Sequence, residues 1–347
     1  MATLRSLLLL ALLACGLAAC TTGERDTRGM QPIPAKLVAQ MREKGMKPSD
    51  PIMIRIYKQE SELEVWKRDR SGNYALLKTY PICRWSGKLG PKKQEGDRQA
   101  PEGFYAITMS LLNPQSQFYL SFNLGFPNKL EEALGYEGAA LMVHGACSSS
   151  GCYALTDAGV AEIYAVARDA LIGGQTSFQV QSLPFRMTPQ NLALHRNDPN
   201  MNFWLNLKQG TDQFDVTRQP PKVEACNRRY VFGAKPLDPG AAFDPLGACP
   251  AYEVDPSVAA KVAVKQARDD AQIASLAAAE PPLTLAYSDG GMNEAFREIL
   301  KTSGPEKLSR MTSAGFPVSR PSAALADPYQ PLGIDPMQTA TTVAGQK

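Results

Sequence analysis

The chain has 347 residues, 44% of them hydrophobic and 8% aromatic, and carries a formal charge of +3. That length and apolar content provide for a substantial core and more than one average domain, and they exclude a chain that is disordered throughout. With 37 basic and 34 acidic side chains nearly in balance, the charge excludes nucleic acid as the main partner.

At the N-terminus Arg5 precedes an apolar run over residues 7–19. The run is shorter than the roughly 20 residues a transmembrane helix needs and reads as a secretory signal. It ends in Leu17-Ala18-Ala19-Cys20, which resembles the lipobox of bacterial lipoproteins. The resemblance implies a signal peptide over residues 1–19, lipidation of Cys20 and an exported protein. Thr21 after the cysteine implies an anchor in the outer membrane facing the periplasm. Residues 20–50 are polar and mixed, with one short helical pattern around Leu37 and Met41, and read as a tether.

From residue 51 the apolar period becomes two. Ile52, Ile54 and Ile56 alternate with Met53, Arg55 and Tyr57, and Leu63 and Val65 alternate in the next run, which predicts a hairpin. Ser71-Gly72-Asn73 marks a turn, and strand-like runs follow at 103–108, 118–123 and 139–143. Thr156 is a good N-cap and Asp157 places negative charge at the positive end of a helix. Val160, Ile163, Tyr164, Ala167 and Leu171 share one face of that helix. Gly173-Gly174 ends it, a strand resumes at 177–181, and a short helix is expected around 202–207. The compact domain, residues 51–234, closes near Arg228 to Pro236. The extension 235–347 is rich in Ala and Pro. Asp255-Pro256 predicts a helix running to about Ala279, and the last forty or so residues have no clear period.

Export places Cys83, Cys147, Cys152, Cys226 and Cys249 in an oxidising compartment. Five is odd. Two bridges among the other four leave Cys152 free, whereas a Cys147–Cys152 bridge silences it, and the spacing does not choose between these pairings.

The stretch "LMVHGACSSSGCYALTD", 141–157, carries the chemistry. His144 lies eight residues ahead of Cys152, across a loop of small residues. A cysteine attacks as thiolate, and its free pKa of about 8.5 calls for a base or a positive dipole. His144 at a strand end can fold back to take the proton, and the helix capped by Thr156 begins a few residues on. The backbone around Ser149, Ser150 and Gly151 offers N–H donors to an oxyanion, which are worth roughly 10²- to 10³-fold in rate. A structural histidine beside an inert thiol is the competing reading. His195, in "LALHRNDPN", reads as an exposed loop residue. The histidines are too far apart for zinc, C-x₂-C spacing is lacking, and no Gly-rich phosphate loop follows a strand, so no metal or cofactor is expected.

The segments "CRWSGKLGPKKQEGDRQAPEGFYAIT", "NPQSQFYLSFNLGFPN", "MVHGACSSSGCYALTD" and "SFQVQSLPFRMT", in this order, resemble the L,D-transpeptidase catalytic domain of the YkuD type, in its YafK-like branch. The resemblance spans roughly residues 50–233. It implies a mainly β, sandwich-like domain with a few helices, acting on peptidoglycan stem peptides. In that family a cysteine attacks the carbonyl between the L-centre of diaminopimelate and D-alanine, and the resulting thioester is passed to an amine. By motif, Cys152 is the nucleophile, His144 the base and the Gly145 carbonyl the group that orients the imidazole. Gly151 and Cys152 line the oxyanion hole.

This chain departs from the wider family pattern. Ser150 and Ala154 stand where a His and an Arg or Asn usually flank the cysteine, so another cation must meet the stem carboxylates. Candidates are Arg84, Lys88, Lys92, Lys93, Arg98 and Arg186, with Arg186 favoured, and with Ser149 and Ser150 as further substrate contacts. Two alternatives stand beside transpeptidation. One is a hydrolase or amidase that releases a wall-attached outer-membrane protein from diaminopimelate. The other is a non-catalytic, lipid-anchored wall-binding module.

Overall fold

The structure is a computed structural model that describes residues 26–282 and 290–312. The signal segment, Cys20 and the tail beyond residue 312 lie outside the described residues.

The body does not wait for residue 51. Helix α1 (Ala35–Glu43) buries Leu37 and Met41 in the main core, with Ile33 and Met46 beside them, so most of the segment read as a tether is part of the folded unit. The pattern around Leu37 and Met41 is helical as read. Its apolar face lies against the domain rather than along a linker.

The strands that follow are β1 (Ile52–Tyr57), β2 (Glu62–Arg68), β3 (Tyr74–Pro81), β4 (Arg84–Trp85), β5 (Gly103–Ile107), β6 (Leu112–Asn113) and β7 (Ser121–Asn123). After a one-turn helix, α2 (Lys129–Ala133), come β8 (Met142–His144) and β9 (Tyr153–Ala154), then α3 (Asp157–Ile172) and β10 (Phe178–Leu183). Two five-stranded sheets result, ordered β3-β2-β1-β10-β5 and β4-β9-β8-β7-β6. One apolar cluster joins them: Ile54 and Ile56 from the first, Trp85, Phe122 and Val143 from the second, and Val160, Ile163 and Val166 from α3. The Thr156 hydroxyl caps α3 by accepting from Gly159 N–H, and Asp157 occupies its first turn, as the sequence pattern requires.

Strand β1 departs from simple alternation, because all six of its residues are buried. The second face is covered by α5 (Met201–Thr217), which is longer than the short helix expected there and follows α4 (Pro189–Leu194). Met53 packs on Phe214. The Arg55 guanidinium lies over the same ring and pairs with Asp215 at 2.8 Å and with Gln181 at 2.9 Å. A strand covered on both faces tolerates a buried charge only when it is paired in this way.

The chain does not finish near residue 236 either. Beyond the pair β11 (Val223–Cys226) and β12 (Arg229–Phe232) come the two-residue strands β13 (Lys235–Pro236) and β14 (Tyr252–Glu253), then α6 (Pro256–Ala279). Asp255 caps α6 by accepting from Ser257 and Val258 N–H, and Pro256 opens it, as read from the sequence. The helix is fastened to α5 by a four-membered charge network. Lys208 meets Asp212 at 2.6 Å and Asp269 at 2.8 Å, and Lys265 meets the same two carboxylates at 2.7 and 2.6 Å. A last helical segment, α7 (Glu294–Thr312), breaks at Gly304 and Pro305.

Removing Asp269 leaves Lys208 short of one buried partner. Asp269→Ala is expected to lower unfolding stability by about 3 kcal/mol, read as a shifted urea midpoint. A midpoint unchanged from the parent chain would mean that α6 is not held by these charges.

Candidate active site

The site forms where β8 and β9 run parallel, with Val143 beside Tyr153 and His144 beside Ala154. Parallel neighbours need a connection, and here it is only residues 145–152. So short a return demands unusual backbone: Ala146 and Cys147 have φ of 65° and 42°, and Gly151, just before Cys152, has φ of 126°, a value that favours glycine. Several bonds clamp the loop. Cys147 is disulfide-bonded to Cys83, Ala146 N–H donates to Asp157 Oδ1 at 2.9 Å, and Gly145 N–H donates to Phe118 O at 3.0 Å.

A second bridge joins Cys226 to Cys249, so four of the five described cysteines are paired and Cys152 is free. The silencing Cys147–Cys152 bridge is not formed, because Cys147 is committed to Cys83.

His144 is 2% exposed and its ring lies against Phe118, with centroids 4.7 Å apart. Its Nδ1 is 2.6 Å from Gly145 O. A carbonyl only accepts, so Nδ1 carries the proton and Nε2 keeps its lone pair. Burial pulls the imidazole down to about 4, against the raising effect of the Gly145 carbonyl. At neutral pH the ring is therefore an uncharged, oriented base.

The Cys152 thiol is half-buried. It accepts from Met142 N–H at 3.4 Å and donates to Ala140 O at 3.7 Å. Burial pushes the thiol above its ordinary value, opposed by the Met142 amide and by the charge of Lys92. The thiol and the imidazole are thus both uncharged at rest. The helix contributes less directly than the spacing suggested. Strand β9 separates Cys152 from α3, and Asp157 at the head of that helix braces the loop at Ala146.

The amides of Gly151 and Cys152 converge, at 3.3 and 3.1 Å, on one oxygen, the Ser149 hydroxyl. That hydroxyl in turn donates to Cys152 O at 2.7 Å and lies 3.1 Å from Ser86 Oγ. Two N–H groups are thereby aimed at a single oxygen. Ser149 is buried in this network, whereas Ser150 is exposed.

Arg186 lies outside this loop, following β10 of the other sheet. Its guanidinium is 2.5 Å from Glu62 and 2.7 Å from Glu64 and covers the Tyr57 ring, so its charge is spent on carboxylates of its own sheet. The cation whose field reaches the thiol is Lys92, held by Asp97 at 2.5 Å and Gln94 O at 2.8 Å inside the charge-rich loop. Nothing local in the sequence distinguishes Lys92 from its neighbours, because its burial depends on a fold that brings Gly138 and Phe126 against it. Phe118, the ring partner of His144, was equally invisible. His195 is not an exposed loop residue: it is 2% exposed, stacked on Phe185 at 4.6 Å and bonded to Gln59 at 2.8 Å.

No protein-family model matches the chain. The Escherichia coli K12 protein named "Putative L,D-transpeptidase YafK" is 46% identical over 187 residues, covering 54% of this chain and 75% of the relative, and its O157:H7 counterpart matches to the same extent. Among solved structures, the helical cell shape determining protein Pgp2 from Campylobacter jejuni is 18% identical and covers 56% of this chain and 80% of its own, with a TM-score of 0.32. Bd1075 from Bdellovibrio bacteriovorus is 13% identical, covering 49% and 61%, with a TM-score of 0.27.

Two pH dependences follow from the site's electrostatics. The rate of Cys152 alkylation in the resting protein should keep rising through about pH 9, since the thiolate forms late. A plateau below pH 7 would instead reveal a preformed thiolate–imidazolium pair. Both buried histidines are pulled to about 4. In the unfolded chain they take up a proton near about pH 6.5, so their contribution to stability is complete above that pH and is lost as pH falls toward 4. Urea midpoints measured between pH 7 and pH 4.5 should fall, and less steeply in His195→Gln; an equal slope in that variant would contradict the account.

Proposed function

Because the chain belongs to the YafK-like L,D-transpeptidase family, we propose that it is an exported cysteine acyltransferase acting on diaminopimelate-containing peptidoglycan stems. The observation that carries this reading is that the one free thiol among the described cysteines directly precedes a strand running beside the one that ends in a buried imidazole. That imidazole is fixed by Gly145 O with Nε2 unprotonated, on the strand beside the nucleophile.

In this mechanism Cys152 Sγ attacks the carbonyl between the L-centre of diaminopimelate and D-alanine while His144 Nε2 takes the thiol proton. The oxyanion displaces the Ser149 hydroxyl from the Gly151 and Cys152 amides. Collapse breaks the C–N bond, and the imidazolium delivers its proton to the departing D-alanine amine. An acceptor amine then attacks the thioester and gives up a proton through His144, and the thiolate leaves to be reprotonated. Lipidation of Cys20 and an outer-membrane anchor in the periplasm complete the reading. They are supported by the apolar run ending in Leu17-Ala18-Ala19-Cys20 and by two disulfides, which persist in oxidising compartments.

The test incubates the mature chain, without lipid, with purified stem tetrapeptides and wall fragments and follows the products by mass spectrometry. New cross-links or exchanged terminal amino acids are expected. Cys152→Ala should abolish them while folding is retained, and His144→Ala should slow them by roughly 10²- to 10⁴-fold. Shortened stems or freed protein without new bonds would make water the acceptor and the protein a hydrolase, and a fully active Cys152→Ala chain would end the mechanism.

A further inference from the structure

Strand β4 is the outer strand of the sheet that carries the catalytic pair, and its ladder to β9 is only two residue pairs long, Arg84 with Ala154 and Trp85 with Tyr153. A ladder that short is marginal on its own. Its free side is taken up by the chain's own C-terminal region. Trp85 N–H donates to Gly291 O at 3.1 Å and Gly291 N–H donates to Trp85 O at 3.2 Å, the double exchange of an antiparallel pair. Gly290 N–H donates to Gly87 O at 2.5 Å and Asn293 N–H to Ile82 O at 3.0 Å, while Asn293 Nδ2 reaches Glu60 O and Ser61 O at 3.2 and 3.3 Å.

The approach is close enough to dictate residue type. A Cβ on Gly290, whose φ is +72°, would sit 2.0 Å from Trp85 O, and one on Gly291 would sit 2.9 Å from Trp85 Nε1. Beyond the glycines, Met292, Phe296, Leu300 and Leu308 are buried in one cluster with Cys83, Cys147 and Ala154.

Those last three residues connect the cluster to the chemistry. Ala154 is two residues past the nucleophile, on the strand paired to His144. Cys147 lies inside the loop between base and nucleophile, and Cys83 bonds to both of them, through its sulfur to Cys147 and through its N–H to Ala154 O at 3.0 Å. We propose that residues 290–308 are a positioning element of the catalytic site: by closing the β4 edge and covering the Cys83–Cys147 bridge, they hold β9 and the loop that presents Cys152. This rests on the assignment of Cys152 as nucleophile.

The experiment compares the full chain with its Gly290→Val and Asn293→Ala variants. It measures the pH profile of Cys152 alkylation together with acyl-transfer kinetics, and circular dichroism establishes folding. With the segment displaced, the thiol loses its buried setting. Alkylation at pH 8 should rise about fivefold with the midpoint moving down toward that of an exposed thiol. At the same time kcat should fall about tenfold, because a loosened loop misplaces the attacking sulfur, while KM stays within about twofold. A stabilising role alone would move neither the alkylation midpoint nor kcat of a folded variant. A folded Gly290→Val chain with both unchanged overturns the proposal. If that variant does not fold, Asn293→Ala, which keeps both glycines and loses only the side-chain bonds to Glu60 O, Ser61 O and Ala295 N–H, is read by the same criteria. Acyl transfer that survives in Cys152→Ala would sink the assignment of the nucleophile instead, a result separable from any behaviour of the C-terminal variants.

Discussion

The parallel pairing of Met142–His144 with Tyr153–Ala154 is the constraint on which the site depends. Two adjacent parallel strands normally need a long crossover, yet here eight residues make the return. The loop has left-handed backbone at Ala146 and Cys147, a glycine at 151 and a covalent clamp to Cys83. The same tightness gives the loop its use. It sets an imidazole at the end of one strand and a thiol at the start of the next, and it folds the intervening amides until two of them meet at one oxygen.

The electrostatics follow from burial. Both members of the pair are withdrawn from water, which lowers the histidine and raises the cysteine, so both rest uncharged. The loop 87–100, which forms one wall of the site, is itself held by a buried ion pair. Lys58 and Glu102, both fully buried and 2.9 Å apart, also bind the backbone of that loop, Lys58 through Lys88 O and Gly90 O and Glu102 through Gly90 N–H. With the Trp204 indole Nε1–H donating to the other oxygen of Glu102, the charges are supplied with the hydrogen bonds that a buried pair requires. The Glu102 carboxylate thereby organises the loop that carries Lys92.

The C-terminal region is built onto the body in two places by different forces. Helix α6 is fastened to α5 by Lys208, Asp212, Lys265 and Asp269, whereas residues 290–308 join through backbone pairing and apolar burial beside the disulfide. The first contact lies on the helical layer over β1. The second lies against the sheet that carries His144.

The sequence by itself determined those features whose cause is local. The helix at Asp157–Ile172 and that at Pro256–Ala279 were legible because a cap, an acidic first turn or a proline marks their starts. The candidate pair His144 and Cys152, with Gly145 beside it, was legible because one short motif holds the whole constellation. What only the tertiary structure decided depends on residues distant in the chain. The second face of β1 is buried because α5, some 150 residues on, lies over it. His195 is buried by stacking on Phe185, Lys92 by Gly138 and Phe126, and Cys152 is free because Cys147 is drawn to Cys83, 64 residues away. Alternation, capping and motif spacing report what a segment prefers. Burial and charge pairing are set by which other segment arrives beside it, and a linear pattern does not encode that arrival locally.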